Sequence, residues 1–148
     1  MDLAFLLAHA SHVLSTELTA ELAGLGITPR GNCVLTAALT GEKTQIQLAD
    51  LCGLDKTTMV VTVDELEKAG LVARLTSPVD RRARIIVVTE QGREVNAKAA
   101  GVVQRVYEDV LSALPAGERD VFVNGLTRLV ESRLSTPVVC QRAPRRRR

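Results

Sequence analysis

Between Gly70 and Thr89 the apolar residues recur at about every second position, whereas on either side they recur every 3.6. Within that stretch two short strands fit, Leu71–Leu75 and Arg84–Thr89. The second carries the β-branched run Ile85-Ile86-Val87-Val88. The polar segment from Thr76 to Ala83 joins them as a hairpin loop. The pattern predicts a mainly α chain carrying one small β-hairpin.

The helices follow from periodicity and caps. A stripe of Leu3, Leu6, Leu7, Ala10, Val13, Leu14, Leu18, Leu22 and Leu25 predicts an amphipathic helix over 3–25. Thr28-Pro29 starts a second helix, with Thr28 as N-cap and Pro29 in its first turn, ending near Gly41. Thr44 caps a short helix, Gln45–Cys52, with Leu48, Ala49 and Cys52 inward, and Gly53 breaks it. Asp55 caps a helix to about Ala69 that buries Met59, Val63 and Leu66. Thr89 caps a long fifth helix to about Leu114. After Pro115-Ala116-Gly117 comes a sixth, over about 118–134, with Val121, Phe122, Leu126, Leu129, Val130 and Leu134 inward.

A short helix, a glycine turn and a longer helix make a helix-turn-helix candidate. The second helix of such a motif enters the major groove of duplex DNA, and its N-terminal residues reach base edges. Here those residues are Lys56, Thr57, Thr58, Val61 and Thr62. Lys56 suits a phosphate, the threonine hydroxyls suit phosphates or base edges, and an outward Val61 suits a thymine methyl. The hairpin loop adds Arg81, Arg82 and Arg84, a residue type that a narrow minor groove attracts. Asp80 is expected to pair with the Arg82 guanidinium and fix the loop.

Charge is distributed unevenly. Arg142 and Arg145–Arg148 place five of the 19 basic side chains in a tail, leaving 14 basic against 17 acidic over residues 1–141. Such asymmetry fits a nucleic-acid partner. With Phe5, Tyr107 and Phe122 as its only aromatics, the chain is poorly equipped to stack single-stranded bases. No apolar run reaches the roughly 18 residues of a membrane span, and the acidic Asp2 with His9 and His12 argues against an export signal. Cys33, Cys52 and Cys140 are odd in number and widely spaced, which reads as reduced thiols in a cytoplasmic protein. No G-x-S-x-G, P-loop or H-E-x-x-H occurs, so no enzyme is expected.

The segments Leu54-Asp55-Lys56-Thr57-Thr58, Val63–Val72 (VDELEKAGLV), Asp80–Arg84 (DRRAR) and Val88–Gly92 (VTEQG) together resemble the MarR family of bacterial transcription regulators. Gly26–Leu39 resembles that family's second helix, and the helical order matches over about 3–135. The resemblance implies a winged helix-turn-helix protomer of six helices, with one domain spanning residues 1–148. Its dimerisation helices would be 3–39 and 93–134, its DNA-binding lobe 44–89, and its basic tail 136–148. It also implies a two-fold homodimer on a pseudo-palindromic duplex operator, a repressor associated with the nucleoid. Asp80 would position the wing and Arg82 would enter the minor groove. Two-fold symmetry doubles the few basic groups of each protomer, which strengthens binding through counterion release.

Many members of the family release DNA when a small aromatic acid or phenol binds. For that role the sequence offers His9, His12 and Arg30. The alternative is thiol oxidation through Cys33, near Arg30. His9 and His12 share a helix face but lack further ligands, so neither metal nor cofactor is expected. A winged-helix protein-interaction module is the competing class, favoured by the acidic body.

Overall fold

The computed structural model describes residues 2–136, so the arginine tail and Cys140 lie outside the described residues. The chain groups into two compact units, the first ending at Tyr107 and the second beginning at Glu108. Among the described residues there are six helices and three strands. In chain order these are α1 (Leu3–Ala23), α2 (Pro29–Ala38), β1 (Lys43–Thr44), α3 (Gln45–Cys52), α4 (Lys56–Lys68), β2 (Val72–Thr76), β3 (Arg84–Val88), α5 (Glu90–Ser112) and α6 (Ala116–Glu131).

In the first unit each expected cap forms. The Thr28 hydroxyl accepts from the Gly31 amide at 3.0 Å, and Thr44 and Gln47 close a reciprocal capping box at the start of α3. Gly53 takes φ +62°, the left-handed conformation that lets the chain turn from α3 into α4 without a Cβ clash. The core gathers Leu22, Val34, Leu35, Leu48, Met59, Val63 and Ile86, all fully buried. Each such side chain contributes about 2 kcal/mol through removal from water.

The sheet has one strand more than the periodicity predicts. β1 pairs antiparallel with β3 (Lys43 opposite Ile86, Thr44 opposite Ile85), and β3 pairs antiparallel with β2 from Val72–Val88 to Thr76–Arg84. A two-residue strand leaves no periodic signature, which is why only the hairpin was legible. With a neighbour on each edge, β3 buries the consecutive residues Ile85 and Ile86.

α5 begins against the base of the hairpin. The Thr89 hydroxyl donates to the Gly70 carbonyl at 2.7 Å and accepts from the Gly92 amide at 3.0 Å. A Cβ on Gly92 would overlap the Leu71 carbonyl oxygen and come within 2.7 Å of Val88 Cγ1. The glycine is therefore required by close approach of helix to strand.

In the second unit Arg119 clasps the turn before α6, donating to the carbonyls of Leu114 (3.0 Å) and Ser112 (3.3 Å). No residue of α6 is buried. Of the six positions expected inward there, Val121, Phe122, Leu129, Val130 and Leu134 are exposed. An apolar stripe on a helix says that the face seeks cover, and nothing within the described residues covers it. The N-terminal half of α1 behaves alike, with Leu3, Phe5, Leu6 and Val13 exposed.

Candidate nucleic-acid interface and cavity

α4 presents one face to the core and the opposite face to solvent. Met59, Val63 and Leu66 point inward as expected. Lys56, Thr57, Val60 and Val61 point outward, the two valines 42% and 50% exposed. A pair of uncovered β-branched apolar residues on a charged helix is a surface prepared for contact.

Two threonines depart from expectation. Thr62 is only 3% exposed, and its hydroxyl donates to the Thr58 carbonyl at 2.8 Å. It lies beside Val63 on the inner arc, so it is not a surface contact residue. The Thr58 hydroxyl donates to Asp55 Oδ2 at 2.6 Å, and its amide donates to Oδ1 at 2.9 Å. That proton is committed to the helix cap and is not available to a phosphate. The same two bonds hold the Asp55 carboxyl below its ordinary range.

The hairpin loop is braced from within. Ser77 Oγ accepts from the amides of Val79 and Asp80, and the Ser77 and Ala83 amides close onto the Ala83 and Asp80 carbonyls at 3.0 Å. Asp80 Oδ1 accepts from the Arg82 backbone amide at 2.9 Å. The expected Asp80–Arg82 guanidinium pair does not form, because the carboxylate is taken by that amide two residues on. The ordering role of Asp80 is thus met through the backbone, and the Arg82 guanidinium is left to solvent. Arg81 and Arg84 are both exposed, and Arg84 Nη1 donates to the Arg81 carbonyl at 3.3 Å.

One arginine that periodicity does not single out ties these parts together. Arg74 on β2 is ion-paired to both Asp64 and Glu67 of α4, and its Nε donates to Gln45 Oε1 of α3 at 3.4 Å. Its backbone amide also donates to Glu67 Oε1 at 3.2 Å. Helix and hairpin are therefore held in one orientation, and two acidic groups of α4 are matched locally.

A cavity of about 450 Å³ opens elsewhere in the same unit. Leu18 and Leu22 of α1, Leu51 of α3, and Val103 and Tyr107 of α5 form its apolar wall. Asn32 and Thr36 of α2 bring polarity, and Asn96 Nδ2 donates to Thr36 Oγ1 at 2.9 Å and to Asn32 Oδ1 at 3.4 Å. Its lining includes none of His9, His12 and Arg30, the residues expected to hold a ligand. His9 is exposed on α1 and stacks on Phe5 with ring centroids 5.6 Å apart, while His12 is exposed a turn further on. Both precede the end of α1 that borders the cavity. Arg30 instead flanks α4, sharing a smaller cavity with Thr57, Thr58 and Val61. The true lining comes from four helices distant in sequence, so spacing carried no signal for it.

Cys33 and Cys52 both line the larger cavity. Burial pushes the Cys52 thiol up to about 12, helped by its hydrogen bond with Cys33. The neighbour that matters to Cys33 is a second thiol.

A braced recognition helix, a glycine turn and an arginine-tipped hairpin define a winged helix-turn-helix DNA-binding protein. Comparison with known proteins gives the family. The MarR family model matches residues 25–83. A crystal structure of CouR from Rhodococcus jostii RHA1 bound to p-coumaroyl-CoA is 30% identical, covering 95% of this chain and 96% of that one with a TM-score of 0.79. A MarR-family transcriptional regulator from Rhodococcus sp. RHA1 is 29% identical over 93% of this chain and 96% of that one, with a TM-score of 0.78. The transcriptional repressor CouR bound to a 23-mer DNA duplex is 28% identical over 87% and 92%, with a TM-score of 0.80. The chain belongs to the MarR family; it is a DNA-binding transcription regulator and not an enzyme. Among the described residues no helix is long and apolar enough to cross a membrane.

Proposed function

We propose that this protein is a homodimeric repressor that holds a pseudo-palindromic operator in the cytoplasm and leaves it when a phenolic ligand fills the 450 Å³ cavity. The observation that carries the DNA-binding half is the outward Val60-Val61 pair on a helix fixed by Arg74 to an arginine-tipped wing. Lys56 and Thr57 contact the backbone, Val61 packs on a thymine methyl, and Arg81, Arg82 and Arg84 meet the minor groove and its phosphates. Asp80 keeps the loop in shape for them. Arg82→Ala is expected to lower operator affinity at least tenfold while leaving the oligomeric state unchanged in analytical ultracentrifugation. Unchanged affinity would sink the wing assignment.

The chemistry of the cavity supports the ligand half. A volume of this size suits a small molecule. Its lining carries no Lys, Arg or His, so it favours a neutral aromatic body over a bare carboxylate. Tyr107 offers a ring to stack on, and Asn32 and Thr36 offer partners for a phenol hydroxyl. CouR, seen with p-coumaroyl-CoA, supports a phenolic acyl group as the class. Because Leu51 and Cys52 of α3 form part of the wall, an occupant biases α3 and, through the Gly53 turn, α4. Titration of an operator complex with phenolic acids and their acyl thioesters tests this. Release by a phenolic compound, abolished in Thr36→Val with Tyr107→Ala, is expected; no release by any of them overturns it.

A second reading has one observation behind it, the placement of Cys33 and Cys52 on the wall of one cavity. An organic hydroperoxide would convert the Cys33 thiol to a sulfenic acid, leaving as the alcohol. The Cys52 sulfur would then displace water to close a disulfide between α2 and α3. Loss of two hydrogens by intact mass after hydroperoxide treatment, absent in Cys52→Ser, is the expected sign.

A further inference from the structure

The recognition helix has a basic neighbour that belongs to neither the helix-turn-helix nor the wing. Arg30 lies in the first turn of α2, and the way that turn is seated fixes where the side chain emerges. Thr28 caps it, and Gly31 is buried with its Cα so close to α4 that an added Cβ would stand 3.3 Å from Leu66 Cδ2. The α2 N-terminus therefore rests on the C-terminal half of α4, and Arg30 emerges along that helix's flank. There it borders a cavity of about 180 Å³ with Thr57, Thr58, Val61 and Glu65. The cavity is continuous with the face that presents Thr57 and Val61 to DNA.

Arg30 is exposed, and among the described residues its guanidinium makes no hydrogen bond or ion pair. Glu65 is the sole carboxylate on the cavity wall and lies two turns along α4 from Thr57. Thr57 supplies a second donor there, since its hydroxyl, unlike that of Thr58, is not bound to the cap. A guanidinium and a hydroxyl at the edge of a helix lying in the major groove match the strand that borders the groove.

We infer that Arg30 is a DNA contact: with Thr57 it grips a backbone phosphate of the strand beside α4, extending the protein's grip to α2. The inference rests on α4 being the groove-reading helix. It assigns Arg30 to affinity and register, with no part in reading bases or binding effector.

The test measures affinity of the full-length protein for its selected operator and for a random duplex across a range of salt. Arg30→Ala, Arg30→Lys and Arg82→Ala are compared with the parent. Each phosphate that is no longer neutralised reduces the slope of log K against log salt by about 0.9, so about 1.8 for two protomers. Arg30→Ala is expected to show that drop and to weaken both duplexes by the same factor. Arg30→Lys, which keeps the charge, is expected to retain the slope. An unchanged slope in Arg30→Ala overturns the inference, as does a weakening confined to one base pair of the operator. If Arg82→Ala weakens binding while Arg30→Ala does not, this inference alone fails. If both are silent, the assignment of the DNA-binding face fails with it.

Discussion

Gly92 has no functional group, yet the hairpin and the fifth helix both depend on it. Any side chain there meets the Leu71 carbonyl and Val88 Cγ1, and the obstruction on one side is backbone, which cannot rotate away. Gly92→Ala is therefore expected to cost about 3 kcal/mol or more, seen as a lower urea midpoint with unchanged m-value. A cost under about 1 kcal/mol would mean that α5 starts further from the wing than this packing requires. Asp55 is the complementary case, a residue that acts through its charge. Its carboxyl is held below the ordinary 3.8 by the Thr58 hydroxyl and amide. A carboxyl with a depressed folded pKa contributes stability above its unfolded pKa and loses it as pH falls through the folded one. The Thr58 amide resonance should then titrate with a midpoint below 3.8, and a midpoint above that value would show the cap to be unformed.

At the scale of elements, what was legible in the sequence was local. Caps at Thr28, Thr44, Asp55 and Thr89, and the inward set Met59, Val63 and Leu66, depend on residues within a turn or two of each other. The recognition helix and wing were legible for that reason, as were the exposed Lys56, Val61 and Arg82. Where sequence reasoning failed, a distant element had intervened. Thr62 is hidden because the α2 N-terminus lies over that arc of α4. Arg30, which the sequence sets beside Cys33 as part of a ligand site, turns away from it to flank α4. The cavity draws on α1, α2, α3 and α5 at once, and the Arg74 clamp joins positions seven, ten and 29 residues apart. None of these has a period or a spacing to read.

For the whole molecule, the remaining quantity to explain is apolar surface. Phe122 is 53% exposed and Val121 70% exposed in the second unit, while Leu3 and Phe5 are each 61% exposed in the first. An isolated chain with such faces on two helices is poorly matched to water, because every apolar Å² left uncovered forgoes about 25 cal/mol of burial. A second copy of the same chain meets that need, and a two-fold arrangement also places two recognition helices on one duplex. On this reading the terminal helices are part of the DNA-binding mechanism even though they touch no base. Phe122→Glu puts a charge where that cover would form, and since the position is exposed in the single chain, the fold of the first unit has no cause to suffer. The variant is expected to sediment as a monomer with the parent's helical circular dichroism. Its operator affinity should also fall at least a hundredfold, because each half-site would then be bound alone. A dimer of unchanged stability would remove α6 from the interface, and a monomer that bound the full operator as tightly as the parent would separate dimerisation from DNA recognition.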